Sequence, residues 1–264
     1  MRKKSKPLVS IIVVNYNNAS YLEECLNSLI KQTYKLIEII VVDDQSQDNS
    51  LNVIKNFKNK IKQLKTSKKK YVGCYDQINA YLTGFKKSKG EIIFFVDSDD
   101  YFKKNKVQII VEHFLKNENW QLIFDLPILR YGKLKKKLKF TPRIFNYTSW
   151  PKFTSQSCIT LRRKFGNEVF KKLIVNKFDT IWFDFRIASY YFLKYGNLKV
   201  INKYLTYYRQ LDGSASKSYK LLGKNWWLRR KQAHDFISYL RKKLKIKDKM
   251  NIDKLVTLTI NLIK

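Results

Sequence analysis

Residues 91–100, EIIFFVDSDD, decide how the rest of the chain is read. The strand-length run Glu91–Val96 lacks the polar–apolar alternation of a half-solvated strand, as expected of one buried on both faces of a parallel sheet. It delivers three carboxylates, Asp97, Asp99 and Asp100, to the mouth of that strand. Gathering them there brings mutual repulsion and desolvation. A hard divalent cation such as Mn²⁺ or Mg²⁺ offsets both through oxygen ligands and bridges substrate phosphates. Taken alone, the string reads equally well as an acidic helix N-terminus capped by Asp99 or Asp100.

Upstream, the pattern repeats twice. Leu8–Val14 (LVSIIVV) ends in Asn15-Tyr16-Asn17-Asn18, and Ile37–Val42 ends in Asp43-Asp44-Gln45-Ser46-Gln47-Asp48. Helical spacing separates the runs: Leu22, Leu26, Leu29 and Ile30 follow a Ser20-x-x-Glu23 capping box. Leu51, Ile54 and Phe57 follow from about Asn49, and a helix is predicted from about Cys74 to Lys87, broken by Gly90. Strand–helix alternation predicts a parallel doubly wound sheet, whose ligand crevice lies at the carboxyl ends of the strands. All three polar clusters sit at such ends. Asp44 is suited to accept hydrogen bonds from a nucleobase imide or ribose hydroxyls, whereas Ser46 and Asp48 read as turn and N-cap residues.

Beyond residue 103 the pattern becomes mixed. A helix over Lys104–Lys116 and a strand over Trp120–Phe124 precede a basic hairpin or loop at Lys133–Lys139. A strand at Ile159–Leu161, helices near Arg163–Leu173 and Phe183–Lys194, and short strands near Leu198–Ile201 and Leu205–Tyr208 follow. From about Tyr219 the chain reads as basic and helical, ending in an amphipathic stretch, Ile252–Ile263.

With 44% hydrophobic and 15% aromatic residues among 264, the chain is not disordered. Its formal charge is +33; residues 1–100 contribute +6 and the remainder +27. Such a field favours anionic partners, a membrane surface included. Most of the excess is lysine, which solvated surface positions account for. A nucleic-acid-binding role fits poorly, because converging carboxylates repel a phosphate backbone. Three cysteines and two histidines without metal-like spacing argue against zinc or a disulfide framework and suit a reducing cytosol. The first apolar run reads as a strand and not a signal peptide. No stretch approaches the ~20 apolar residues of a spanning helix. The expected location is cytoplasmic, peripheral on the cytoplasmic face of an inner membrane if the basic C-terminal portion faces anionic lipid.

Four blocks together are specific: VSIIVVNYN (Val9–Asn17), IEIIVVDDQSQD (Ile37–Asp48), KGEIIFFVDSDD (Lys89–Asp100) and YYRQLDGSAS (Tyr207–Ser216). In order and spacing they resemble an inverting family 2 glycosyltransferase of GT-A fold, over roughly residues 7–216. The resemblance implies an α/β, mostly parallel Rossmann-like sheet with helices on both faces and a helical C-terminal extension. It divides the chain into a nucleotide-sugar-binding half (1–102), an acceptor-binding and catalytic-base half of the same domain (103–216) and a basic helical extension (217–264). The implied donor is a nucleotide-diphosphate sugar, UDP-linked before dTDP-linked, and the implied acceptor a hydroxyl of a saccharide or lipid-linked saccharide. The implied setting is bacterial surface polysaccharide synthesis.

Carried over position by position, the resemblance puts Val14, Asn15, Tyr16 and Asn17 around the nucleotide, with Tyr16 stacking on the base. Asp44 then contacts the base, Asp97 lies near the ribose, and Asp99 holds Mn²⁺ or Mg²⁺. Asp184, at the start of a helix, matches the acceptor-side base, with Asp179 five residues upstream as its competitor; an N-cap role or a pair with Arg186 is the plainer reading of Asp184. Thr154–Cys158 would face the acceptor, or mark a plain loop-to-strand transition. Two departures stand out. No arginine occurs at Asn79–Gly84, so a lysine of Lys68–Lys70 or the metal must serve the phosphates. No histidine occurs near Leu211 or Asp212, which leaves Arg209 to reach a phosphate and Asp212 to reach the metal, unless Asp212-Gly213 is a surface turn. Trp226-Trp227 reads as packing onto the catalytic domain before a membrane anchor. A sugar nucleotidyltransferase, the enzymatic rival, would carry a glycine-rich loop after the first strand, where this chain has none.

Overall fold

The apolar runs meet as parallel neighbours. In the computed structural model, which describes residues 5–67, 74–141, 148–173, 177–212 and 219–263, β1 (Val9–Asn15) lies between β2 (Ile37–Asp43) and β4 (Ile92–Asp97). A short β3 (Lys62–Lys65), which its lysines hide from sequence reading, extends the parallel set beyond β2. The second half of the sheet is mixed. It contains β5 (Tyr101–Phe102), β6 (Leu122–Tyr131), β7 (Leu134–Lys137), β8 (Ile159–Arg162) and β9 (Val200–Arg209). The order is β3-β2-β1-β4-β8-β6-β9-β5, with β7 paired to β6. β8 is antiparallel to both β4 and β6, while β6 and β9 run parallel.

Successive β1 side chains serve opposite faces. Val9, Ile11 and Val13 pack with α1 (Ala19–Ile30), α2 (Ser50–Lys55) and α4 (Lys106–Lys116). Ile12 and Val14 pack with α3 (Tyr75–Lys87), α5 (Arg163–Leu173), α6 (Phe183–Tyr195) and α7 (Lys224–Lys243). The expected α/β sheet with helices on both faces is therefore present. The C-terminal α7 is no loose appendage, since Phe236, Ile237 and Leu240 join the same apolar layer as α6. A last helix, α8 (Ile252–Ile263), rests on α7. No helix among the described residues is long and apolar enough to cross a membrane.

Several boundaries differ from the sequence reading. α1 starts ahead of the anticipated box: Asn18 is its N-cap, and the Ala19 N–H donates to Asp48 Oδ2 at 2.8 Å. A carboxylate from the loop after β2 thus replaces the local cap. Asp100 caps no helix, because α4 begins at Lys106. The two short strands predicted around residues 198–208 form one continuous β9. β6 runs on past Phe124 through Pro127, where its pairing with β9 shifts register, the kind of irregularity at which proline is tolerated in a sheet.

Candidate active site

Register places the three polar clusters side by side, because Asn15 is opposite Asp43 on β2 and Val14 is opposite Asp97 on β4. The β1 and β2 loops then brace each other. Asn15 is fully buried and donates to Asp43 Oδ1 and Ser46 Oγ, each at 3.0 Å. Asn17 takes a left-handed conformation (φ +49°), donates its N–H to Ser46 Oγ and accepts from the Gln47 N–H. Val14 is buried, whereas Tyr16 stands 57% exposed at the crest of the loop. Of the four residues read as lining a nucleotide pocket, Asn15 thus turns its side chain into the protein and Tyr16 offers a ring. Asp44 is half-buried, accepts from Thr66 Oγ1, and is raised by burial, with the Asp76 and Asp43 charges adding to the shift.

The acidic run is divided by its hydrogen bonds. Asp97 Oδ1 accepts from Tyr81 Oη (2.9 Å), Gln77 Nε2 (3.1 Å) and Gln156 Nε2 (2.9 Å). Burial and the neighbouring Asp99 charge nonetheless push it up to about 7. Asp100 is fully buried, accepting from Ser157 Oγ (2.5 Å) and the Arg209 N–H (2.8 Å). Burial, with Asp99 and Asp97 adding, raises it well above the carboxylate range. Asp99 is also raised by burial, offset in part by Arg209. No hydrogen bond from another side chain reaches it among the described residues, so its carboxylate is the least committed of the three.

One oxygen of each of the three carboxylates lies within 4.8 Å of the others. All three carry raised pKa values, through burial first, with the neighbouring carboxylates adding at Asp97 and Asp100. An all-oxygen donor set of this kind fits a hard divalent cation.

Beneath the run lies a support that sequence reading missed. Ser157 Oγ also accepts the Asp97 N–H, and Ser157 O accepts from Lys106 Nζ at 2.8 Å. Lys106 is itself fully buried and paired with Asp125 at 2.8 Å. Gln156 and Ser157, read as facing an acceptor, thus spend their polar groups on the acidic run. The signals existed: Gln77 and Tyr81 share a face of α3 at i,i+4, and Lys106 continues the apolar Ile110–Phe114 stripe of α4.

Asp184, half-buried in the first turn of α6, accepts its neighbour Phe185's N–H at 2.7 Å. Burial raises its pKa, and its charge is felt at Asp97 and at Tyr208. It makes no pair with Arg186, whose buried guanidinium donates to the carbonyls of Ile181, Leu173 and Phe178. Asp179 is tied down by Gln232 Nε2 at 2.6 Å. Arg209 Nε donates to the Asp99 carbonyl at 2.6 Å, and Nη2 pairs with Glu24 at 2.6 Å, so the cation sits beside the run. Glu24 is shared with Arg130. Lys68–Lys70 and Gly213–Ser216 lie outside the described residues; Asp212 is exposed.

Residues 10–170 match the family described as glycosyl transferase family 2. The chain belongs to that family. It is 32% identical over 203 residues to an uncharacterised glycosyltransferase of Rickettsia typhi, a match covering 70% of this chain and 61% of that protein. It is 37% identical over 125 residues to one of Nostoc sp. (46% and 37%). It is 38% identical over 105 residues to glycosyltransferase GlyG of Streptococcus pneumoniae (40% and 34%). The chain thus spans less than two thirds of these relatives' own length. Among solved structures, this family 2 member resembles S. aureus TarS 1–349 in complex with UDP-GlcNAc, with a TM-score of 0.63, 20% identity, and coverage of 87% of this chain and 66% of that one. It also resembles the mannosyltransferase PcManGT of Pyrobaculum calidifontis in complex with GDP-Man and Mn²⁺, at TM-score 0.55, 16% identity and coverage of 96% and 68%. Likeness at that identity shows the GT-A fold.

Proposed function

We propose that the chain transfers a hexosyl or N-acetylhexosaminyl group from a nucleotide-diphosphate donor, UDP-linked, to a hydroxyl acceptor with inversion at the anomeric carbon. The observation that carries this reading is the Asp184 carboxylate, in the first turn of α6 with the Phe185 N–H as its hydrogen-bond donor, within electrostatic reach of Asp97 in the acidic cluster. One side offers a base, the other a cation site. TarS with UDP-GlcNAc and PcManGT with GDP-Man and Mn²⁺ support a nucleotide-sugar donor and a divalent ion on this fold.

In this reading Tyr16 stacks on the base and Asp44 accepts from its polar edge or the ribose. Asp99, with Asp97 and Asp100 beside it, would hold Mn²⁺ or Mg²⁺, which supplies Lewis-acid stabilisation to the departing diphosphate when bound. Arg209 keeps the Asp99 backbone in place and adds positive charge. Asp184 takes the proton from the acceptor hydroxyl as that oxygen attacks the face opposite the leaving group. Its pKa, raised by burial, makes it a stronger base than a surface aspartate. Assembly of a bacterial surface polysaccharide, on a saccharide or lipid-linked saccharide, is the setting we assign.

Release of UDP from UDP-GlcNAc, with water standing in for the acceptor, tests the assignment of Asp184. Asp184→Asn is expected to lower kcat about 10²–10⁴-fold and leave KM for the donor near its original value. An unchanged kcat, or a loss confined to KM, would remove Asp184 from the role of base.

A further inference from the structure

The last helix is turned inside out with respect to a soluble helix. On α8 four polar residues, Asp253, Lys254, Thr257 and Asn261, face the protein: Asp253 accepts from Arg230 of α7, and Asn261 Nδ2 donates to the Trp227 carbonyl at 3.1 Å. Thr257 is fully buried, and Lys254 Nζ reaches Ser238 Oγ at 2.9 Å. Five of its seven apolar residues face out, Leu258 and Ile260 being half-buried, with the exposed Thr259 between them. Ile252, Leu255, Val256, Leu262 and Ile263 fall at i, i+3, i+4, i+10 and i+11 and are 43–87% exposed. Clusters of exposed apolar side chains of this kind mark interaction sites on soluble proteins.

Charge identifies the partner. Residues 217–264 hold fourteen Lys or Arg against three Asp or Glu. Five exposed lysines, Lys242, Lys243, Lys245, Lys247 and Lys249, lead directly into the stripe, and Met250 beside it is 63% exposed. Two copies pairing through this face would bring like charges together. A bilayer carrying anionic headgroups answers both features, taking the apolar stripe between its headgroups and the lysines along its surface. At 12 residues α8 is about 18 Å long, far short of the ~30 Å hydrocarbon layer, so it would lie in the interface and not cross it.

We propose that α8, with the basic segment before it, is an interfacial anchor that docks the enzyme on an anionic lipid surface through Ile252, Leu255, Val256, Leu262 and Ile263. The anchor stands independently of the sugar-transfer reading, and its test uses neither donor, acceptor nor cation. The test is flotation of the full chain with phosphatidylcholine vesicles with or without phosphatidylglycerol. Binding is expected only with phosphatidylglycerol, and to weaken as salt is raised. Leu255→Asp/Leu262→Asp alters exposed side chains, so its Tm should match the parent while binding falls at least about tenfold. Lys245→Glu/Lys247→Glu/Lys249→Glu should fall by at least about tenfold as well. Absence of flotation, equal flotation by the variants, or binding indifferent to phosphatidylglycerol would overturn the anchor. So would a lipid-free dimer in light scattering that Leu255→Asp/Leu262→Asp dissociates, which would assign the stripe to a second copy.

Discussion

Replacing Asp184 with asparagine separates two consequences of its burial. The folded protein holds the Asp184 proton more tightly than the unfolded chain, whose aspartates ionise near pH ~3.9. Ionising it in the fold therefore lowers stability progressively as pH rises through the raised value. Asparagine carries no such penalty. Asp184→Asn should raise Tm at neutral pH, by a margin that shrinks as pH is lowered, even as activity collapses; an equal Tm difference at acid and neutral pH would contradict this. In the parent, kcat/KM should fall on the acid side at an apparent pKa above the usual aspartate value. The carboxylates themselves were legible in the sequence because each closes an apolar run. Their division of labour was not. Hydrogen bonds from residues distant in the chain, such as Gln156 to Asp97 and Ser157 and Arg209 to Asp100, help commit two of the three and leave Asp99 open.

Elements hold this site through close approach and one buried ion pair. α3 rests so near the sheet that a Cβ on Gly84 would come within 2.4 Å of Ile12 Cγ2 and 3.1 Å of Val42 Cγ2. Gly84→Ala should lose about 1–3 kcal/mol in urea unfolding; a change within experimental error would mean that α3 shifts freely on β1 and β2. Lys106 fastens α4 to β6 through Asp125, to β9 through Thr206, and to the Ser157 carbonyl beside the acidic run. Lys106→Met strands Asp125 in the core and should cost about 3–5 kcal/mol, while Lys106→Met/Asp125→Leu should recover most of it. No recovery in the pair would show that packing of the Lys106 stem, and not the charge, is what matters. Periodicity located most helices, α5 and α6 to within a residue. It misplaced the start of α1 because the Ala19 N–H is capped by Asp48, 29 residues downstream.

Across the whole molecule, most elements were readable on their own, but the pairing of the second half of the sheet was not, for a physical reason. β1, β2 and β4 are buried on both faces and announce themselves as continuous apolar runs. β8 was read as a strand, but its four residues do not name its neighbours; β3 and β7 carry two and three lysines in four residues, and β6 passes through a proline. Nothing local specifies that β4 pairs with residues 160–162 of β8. The charge of +33 was legible as a number but not as a place. The structure puts part of it beside the outward apolar stripe of α8, while the carboxylates occupy the carboxyl ends of the parallel strands.

If those carboxylates form a cation-dependent donor site, a thermal-shift titration of UDP-GlcNAc with and without Mn²⁺ will register it. At about 100 times Kd a ligand adds ~2.7 kcal/mol, a rise of about 5–10 °C for a chain of this size. The rise is predicted with Mn²⁺ present, and predicted to vanish both without it and in Asp99→Ala. An equal shift without Mn²⁺, or one that survives Asp99→Ala, would contradict the account.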